Sequence, residues 1–203
     1  MYVSIITAAF SATYIENTWQ SIKKQTHKDW EWIIVCDNSE EIRDWFNEFK
    51  VPREEDNDIW FIDISKNQAR YGLVARNVGV MCSKYNRIVF LDDDNEFEEE
   101  DYLEELIKVE KKTGKIPYTK LHLIGKKPDS TYDRYKKTAL ARHNIDLGNP
   151  FYRKRFFNRY GYFDDSQNKI MFDWDLIKKI KDGEGEDMFV RVDRNLFFRH
   201  KRY

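Results

Sequence analysis

Asp92, Asp93 and Asp94 follow one another directly behind the apolar run Ile88-Val89-Phe90-Leu91. A wholly apolar run of this length suits a strand buried on both faces. Acids crowded at the end of such a strand repel one another strongly in a dry site. A divalent cation with oxygen ligands relieves that repulsion. The stretch therefore reads as a buried strand delivering a metal site to the rim of a sheet. The alternative is an acidic turn in water.

Elements around it must bring further groups to the same rim. Val3–Thr7 is a β-branched run and predicts a first strand, with Ala8, Ala9, Phe10 and Ser11 as the turn behind it. Thr13 and Glu16 have capping-box spacing, and Ile15, Trp19 and Ile22 fall on one helix face. Trp30–Cys36 predicts a second strand ending in Asp37-Asn38-Ser39, and Ser39 can cap a helix carrying Ile42, Trp45, Phe46 and Phe49. A polar loop over Val51–Asp58 leads to a third strand, Ile59–Ile64. The polar stretch Ser65–Tyr71 leads to a helix with Val74, Val78 and Met81 on one side. Alternating strands and helices predict a parallel sheet with right-handed crossovers. Residues 8–11, 37–39 and 92–94 then all sit at carboxyl ends of strands, where open α/β sheets bind ligands.

The second half is less regular. Leu103, Leu106 and Ile107 mark a helix, and Leu121–Ile124 a short strand. Lys126–Arg142 is polar and rich in tyrosine. Ile145–Tyr152 predicts a strand, Arg155–Tyr160 a short helix ended by Gly161, and Asp173–Lys181 a helix with Leu176, Ile177 and Ile180 inward. Phe189–Phe198 alternates and is expected to close the sheet as an edge strand.

The 203 residues suit one domain. A net charge of −1 with interspersed signs argues against a nucleic-acid binder working through a basic face. No apolar run approaches the ~18 residues of a membrane span, and the N-terminus enters a strand without signal-peptide features. A cytoplasmic location is the expectation, with Cys36 and Cys82 as buried free thiols. The basic, aromatic end is compatible with one module of a longer protein.

Several segments resemble the inverting GT-A glycosyltransferases of family 2. Val3–Ser11 is similar to that family's strand-and-turn start, and Gln20–Thr26 to its Ser-Ile-x-x-Gln-Thr helix end. Val35–Ser39 is similar to its Val-Asp-Asp-Gly-Ser, and Ala75–Gly79 to its Ala-Arg-Asn-x-Gly. Phe90–Asp94 is similar to its Asp-x-Asp motif. Gly161–Asp164 and Asp173–Leu176 are similar to its acceptor and base segments. The resemblance implies one catalytic domain over 1–203, with a Rossmann-like, mostly parallel sheet flanked by helices. Residues 1–97 would form the nucleotide-binding half and 98–203 an α+β acceptor-binding half. In general style the short chain is also similar to glycosyltransferase modules of large algal viruses, which would place it in the host cytoplasm. Three departures stand out. Ala8-Ala9-Phe10-Ser11 replaces Pro-Thr-Tyr-Asn, Cys36 replaces the first Asp of Asp-Asp, and Phe172 replaces the Glu before the base.

The resemblance further implies transfer of a hexose from a UDP-sugar to a hydroxyl of a carbohydrate acceptor. Ala8, Ala9, Phe10, Asp37, Arg76, Asp92, Asp93 and Asp94 would bind the donor. Asp37 would accept the uracil N3–H and Phe10 would stack on the base. Asp92 and Asp93 would face the ribose and the diphosphate. Asp94 would hold Mn²⁺ or Mg²⁺, joined by His200, and an imidazole ligand favours Mn²⁺. Asp173 would act as general base, with Asp175 as the fallback; its other role would be to cap a helix. Arg76 suits bidentate contact with phosphate or with a carboxylate. Trp174, Tyr132, Tyr135, Phe151 and Tyr152 are candidates for stacking on sugar rings or for core. A nucleotidyltransferase and a non-catalytic nucleotide-sugar or glycan-binding module are the alternatives.

Overall fold

The computed structural model describes residues 1–49, 58–64, 72–119, 122–124, 131–132, 150–164, 172–192 and 198–201. The apolar runs of the first half form parallel strands β1 (Val3–Ala9), β2 (Trp30–Asp37), β3 (Asp58–Ile64) and β4 (Arg87–Phe90). They lie in the order β3-β2-β1-β4, and β9 (Tyr152–Arg153) adds an antiparallel edge beside β4. Every residue of β1 and β2 is buried, as strands covered on both faces require.

Side chains alternate between two apolar layers. Val3, Ile5, Trp32, Ile34 and Val89 pack under helices α1 (Ile15–Lys23), α2 (Glu40–Glu48) and α4 (Tyr102–Thr113). Ile6, Ile33, Val35, Ile88 and Phe90 pack under α3 (Leu73–Cys82), α5 (Lys154–Tyr160) and α6 (Phe172–Glu184). Both layers draw residues from either half of the chain. In the first layer Trp19 stacks on Trp32, with ring centroids 5.3 Å apart and planes 3° from parallel. Trp30 and Phe49 meet Trp19 edge-on.

Helix boundaries follow local chemistry in part. Ser39 caps α2 as expected, its Oγ accepting from Ile42 N–H at 3.3 Å. The capping box at Thr13 and Glu16 does not form. Helix α1 starts behind Tyr14 without a side-chain cap, and Thr13 Oγ1 lies 2.9 Å from Ser11 Oγ instead. Helix α3 turns a different face inward from the one its valines suggest. Leu73, Arg76, Asn77 and Val80 are buried, while Met81 is 56% exposed. The reason is Gly79, where an added Cβ would stand 2.4 Å from Ile6 Cγ2. The helix backbone lies against the sheet there, which rolls Met81 outward. Cys36 is buried as expected, but Cys82 at the end of α3 is exposed, and both are free thiols.

Short strands make up the rest. β5 (Asn95–Phe97), β7 (His122–Ile124), β8 (Thr131–Tyr132) and β11 (Phe198–Lys201) form a sheet in the order β5-β11-β7-β8. β6 (Ile116–Tyr118) and β10 (Phe189–Arg191) pair in parallel by themselves. Phe189–Phe198 is thus not one strand and does not close the central sheet, because Tyr152-Arg153 occupies the edge beside β4. Of the strand expected at Ile145–Tyr152, residues 145–149 lie outside the described residues. So do nearly all of Val51–Asp58 and Lys126–Arg142, and the stretch Ser65–Tyr71. Among the described residues no helix is long and apolar enough to cross a membrane.

Candidate active site

The parallel strands deliver β1, β2 and β4 to one edge, so Phe10 and Ser11, Asp37, and Asp92–Asp94 end together. Ala8 and Ala9 differ from expectation. They continue β1 as buried strand residues and only Phe10 and Ser11 enter the turn, because Ala8 and Ala9 pair with Val35 and Cys36.

The acidic triplet is fixed from below by a relay. Trp32 Nε1 donates to Thr7 Oγ1 at 2.9 Å, and Thr7 Oγ1 donates to Leu91 O at 2.7 Å. Thr18 Oγ1 donates to Asn95 O at 2.8 Å, closing the turn behind the acids. The three carboxylates then have different environments. Asp92 is ion-paired with the buried Arg76, which leaves helix α3 one turn after its start. Asp93 Oδ2 accepts from Phe10 N–H at 2.6 Å and Ser11 N–H at 2.7 Å, tying the end of β1 to the end of β4. Burial pushes the Asp93 carboxyl up to about 6; the two N–H groups oppose this, and the charges of Asp92 and Asp94 add to it. Asp94 is half-buried at the rim.

Gly72, in the left-handed region at φ 69°, admits the Arg76 guanidinium. A Cβ there would stand 2.9 Å from Arg76 Nη1 and 3.1 Å from Ala8 Cβ. Asp37 is buried at the end of β2. Cys36, one residue before it, donates to Ser39 O at 3.3 Å and accepts from Ser39 N–H at 3.4 Å. Burial raises its thiol, which keeps the proton. Phe10 is 61% exposed and is no core residue, which leaves its ring available for stacking.

Toward the second half of the chain, Asn77 binds both backbone groups of Phe163. Its Nδ2 donates to Phe163 O at 2.9 Å, and its Oδ1 accepts from Phe163 N–H at 3.0 Å. Phe151 and Tyr152 are fully buried and therefore core, not sugar platforms. Trp174 is half-buried against the second layer. Asp173 is the second residue of α6, and the backbone of His200 pairs with Asn95, next to Asp94. The side chains of Asp173, His200, Phe172 and Tyr132, and all of Tyr135, lie outside the described residues. Among the described residues no three His, Cys, Asp or Glu side chains come together as a metal cage. A cation that shares its shell with substrate phosphates needs only one or two protein ligands. Asp94, a half-buried carboxylate at the rim beside Asp92 and Asp93, offers the hard oxygen donor that such a cation takes.

Thr7, Thr18, Trp32, Gly72 and Asn77 carry this geometry without any chemical signature in the sequence. Their partners lie up to 86 residues away. Of these, only Asn77 had a local signal, its place in the Ala-Arg-Asn-x-Gly segment.

Comparison with known proteins agrees with this fold. The model of glycosyl transferase family 2 matches residues 4–180, and the chain belongs to that family. No curated protein matches it in sequence. The fold is that of the GT-A glycosyltransferases. S. aureus TarS 1–349 in complex with UDP-GlcNAc superposes with a TM-score of 0.76 at 15% identity, over 100% of this chain and 59% of that one. The UDP complex of TarS 1–349 gives 0.74 at 15% identity, over 100% and 61%. GalNAc-T7 with UDP, GalNAc and Mn²⁺ gives 0.74 at 14% identity, over 100% and 44%. The chain thus spans about three fifths of the TarS fragment and under half of GalNAc-T7.

Proposed function

We propose that this chain is an inverting glycosyltransferase that moves a hexose from a UDP-sugar to an acceptor hydroxyl. The observation that carries the reading is the carboxyl edge of the sheet, where Asp93 ties the β1 turn to the acidic triplet. The UDP-bound TarS and GalNAc-T7 structures support the choice of nucleotide.

In this reading Phe10 stacks on uracil and Asp37 accepts its N3–H. Asp92, held by Arg76, faces the ribose. Asp94 and His200 would hold Mn²⁺ or Mg²⁺. When bound, that cation neutralises the charge that develops on the leaving diphosphate. Asp173 takes the proton of the acceptor hydroxyl. The acceptor oxygen forms its bond to the anomeric carbon from the face opposite the diphosphate. The bond to the diphosphate breaks, its electron pair leaves with UDP, and configuration inverts.

A screen of UDP-sugars for hydrolysis in Mn²⁺ and in chelator tests the reading. One UDP-sugar is expected to release UDP, with the release lost in chelator. Release from none of them, together with no binding of UDP, would refute it.

A further inference from the structure

The opposite edge of the central sheet holds a second charged site. Strand β4 begins at Arg87, and five residues at ~3.3 Å each set it about 16 Å from Asp92. Glu110 of α4, its side chain 3% exposed, accepts from Arg87 Nε at 3.2 Å and Nη2 at 3.0 Å. Its other oxygen pairs with Arg153 Nη2 at 2.5 Å. The Arg87 and Arg153 side chains are only 19% and 25% exposed. Two largely buried guanidinium groups therefore share one carboxylate. One positive charge of the pair is left over beside a buried carboxylate, and an anion joining the cluster would balance it.

The same residues line a cavity of about 350 Å³, with Asn86 and Arg155 completing its wall. Arg155 is exposed, its guanidinium 4.9 Å over the Phe156 ring. Glu110 engages Nε and Nη2 of Arg87 and Nη2 of Arg153. Nη1 of both, Nε of Arg153 and the Arg155 guanidinium take no part in that pairing. Three arginines against one glutamate leave a local charge of +2.

We infer that this cavity binds a phosphate group, free or carried on a small metabolite, apart from the crevice at the acidic triplet. A phosphate dianion balances the surplus charge. Its tetrahedral oxygens also accept from guanidinium planes on different elements, which a planar carboxylate meets less well.

Calorimetric titration of the metal-free chain with inorganic phosphate tests this against chloride at equal ionic strength. One saturable site is expected, and it should persist with UDP present in excess. Arg155→Ala, which leaves the buried Glu110 cluster intact, should weaken phosphate at least tenfold. Arg155→Lys should recover part of the loss. Heat no larger than that of chloride, displacement by UDP, or equal affinity in Arg155→Ala would each overturn the assignment.

Discussion

Asp93 shows how one side chain serves two ends. Its Oδ2 receives two backbone N–H groups, yet its carboxyl titrates near 6 because burial outweighs them. Its folded pKa lies above the ordinary value of about 3.9, so the folded state holds the proton more readily between about pH 4 and pH 6. The Asp93 contribution to stability is therefore highest below about pH 4 and declines as pH rises through about 6. Asp93→Asn should flatten that decline in chemical denaturation of metal-free protein across this window. At the rim, Asp94→Asn should lower turnover roughly 100-fold or more, the scale of losing several kcal/mol of charge stabilisation. Unchanged Mn²⁺-dependent UDP affinity in that variant would remove Asp94 from the metal site.

At the scale of elements, α3 matters most. One face places Arg76 against Asp92, Asn77 against Phe163 and Gly79 against Ile6. Asn77→Ala would remove the side-chain partner of both backbone groups of Phe163. A cost on the order of 2–4 kcal/mol is expected in urea denaturation, with faster amide exchange over residues 161–164. Gly79→Ala should cost roughly 1–3 kcal/mol by overpacking against Ile6. Arg76 on this face was legible from the Ala75–Gly79 segment, but hydrophobic spacing points instead to Val74, Val78 and Met81. The working face is polar and small, and its partners lie far along the chain. By contrast β1, β2 and β4 were legible, because residues buried on both faces form largely apolar runs, with Ser4, Thr7 and Glu31 as buried polar exceptions. The acids behind them were legible for the same reason: a buried strand must end at an edge. The second half was read poorly. Its strands of two to four residues take their identity from distant partners, such as β11 between β5 and β7.

For the whole molecule, the proposed function assigns the donor to the edge built by β1, β2 and β4 and the acceptor to the neighbourhood of α6, the helix of Asp173. Helix α6 packs its Leu176, Ile177 and Ile180 into the same apolar layer as α3. Asp173→Asn should therefore lower turnover roughly 10²–10⁴-fold while UDP still raises the melting temperature as in the unaltered chain. Near-normal turnover in that variant would move the base elsewhere, Asp175, exposed two residues further on, being the fallback.

The parallel Trp19–Trp32 stack gives the chain an optical reporter of its own. Two indoles in this geometry couple their excited states, so the folded protein should show an exciton pair in circular dichroism that vanishes with the stack. The Trp32 indole is hydrogen-bonded through Thr7 to the backbone just before Asp92, so UDP titrated into the crevice is expected to shift this signal.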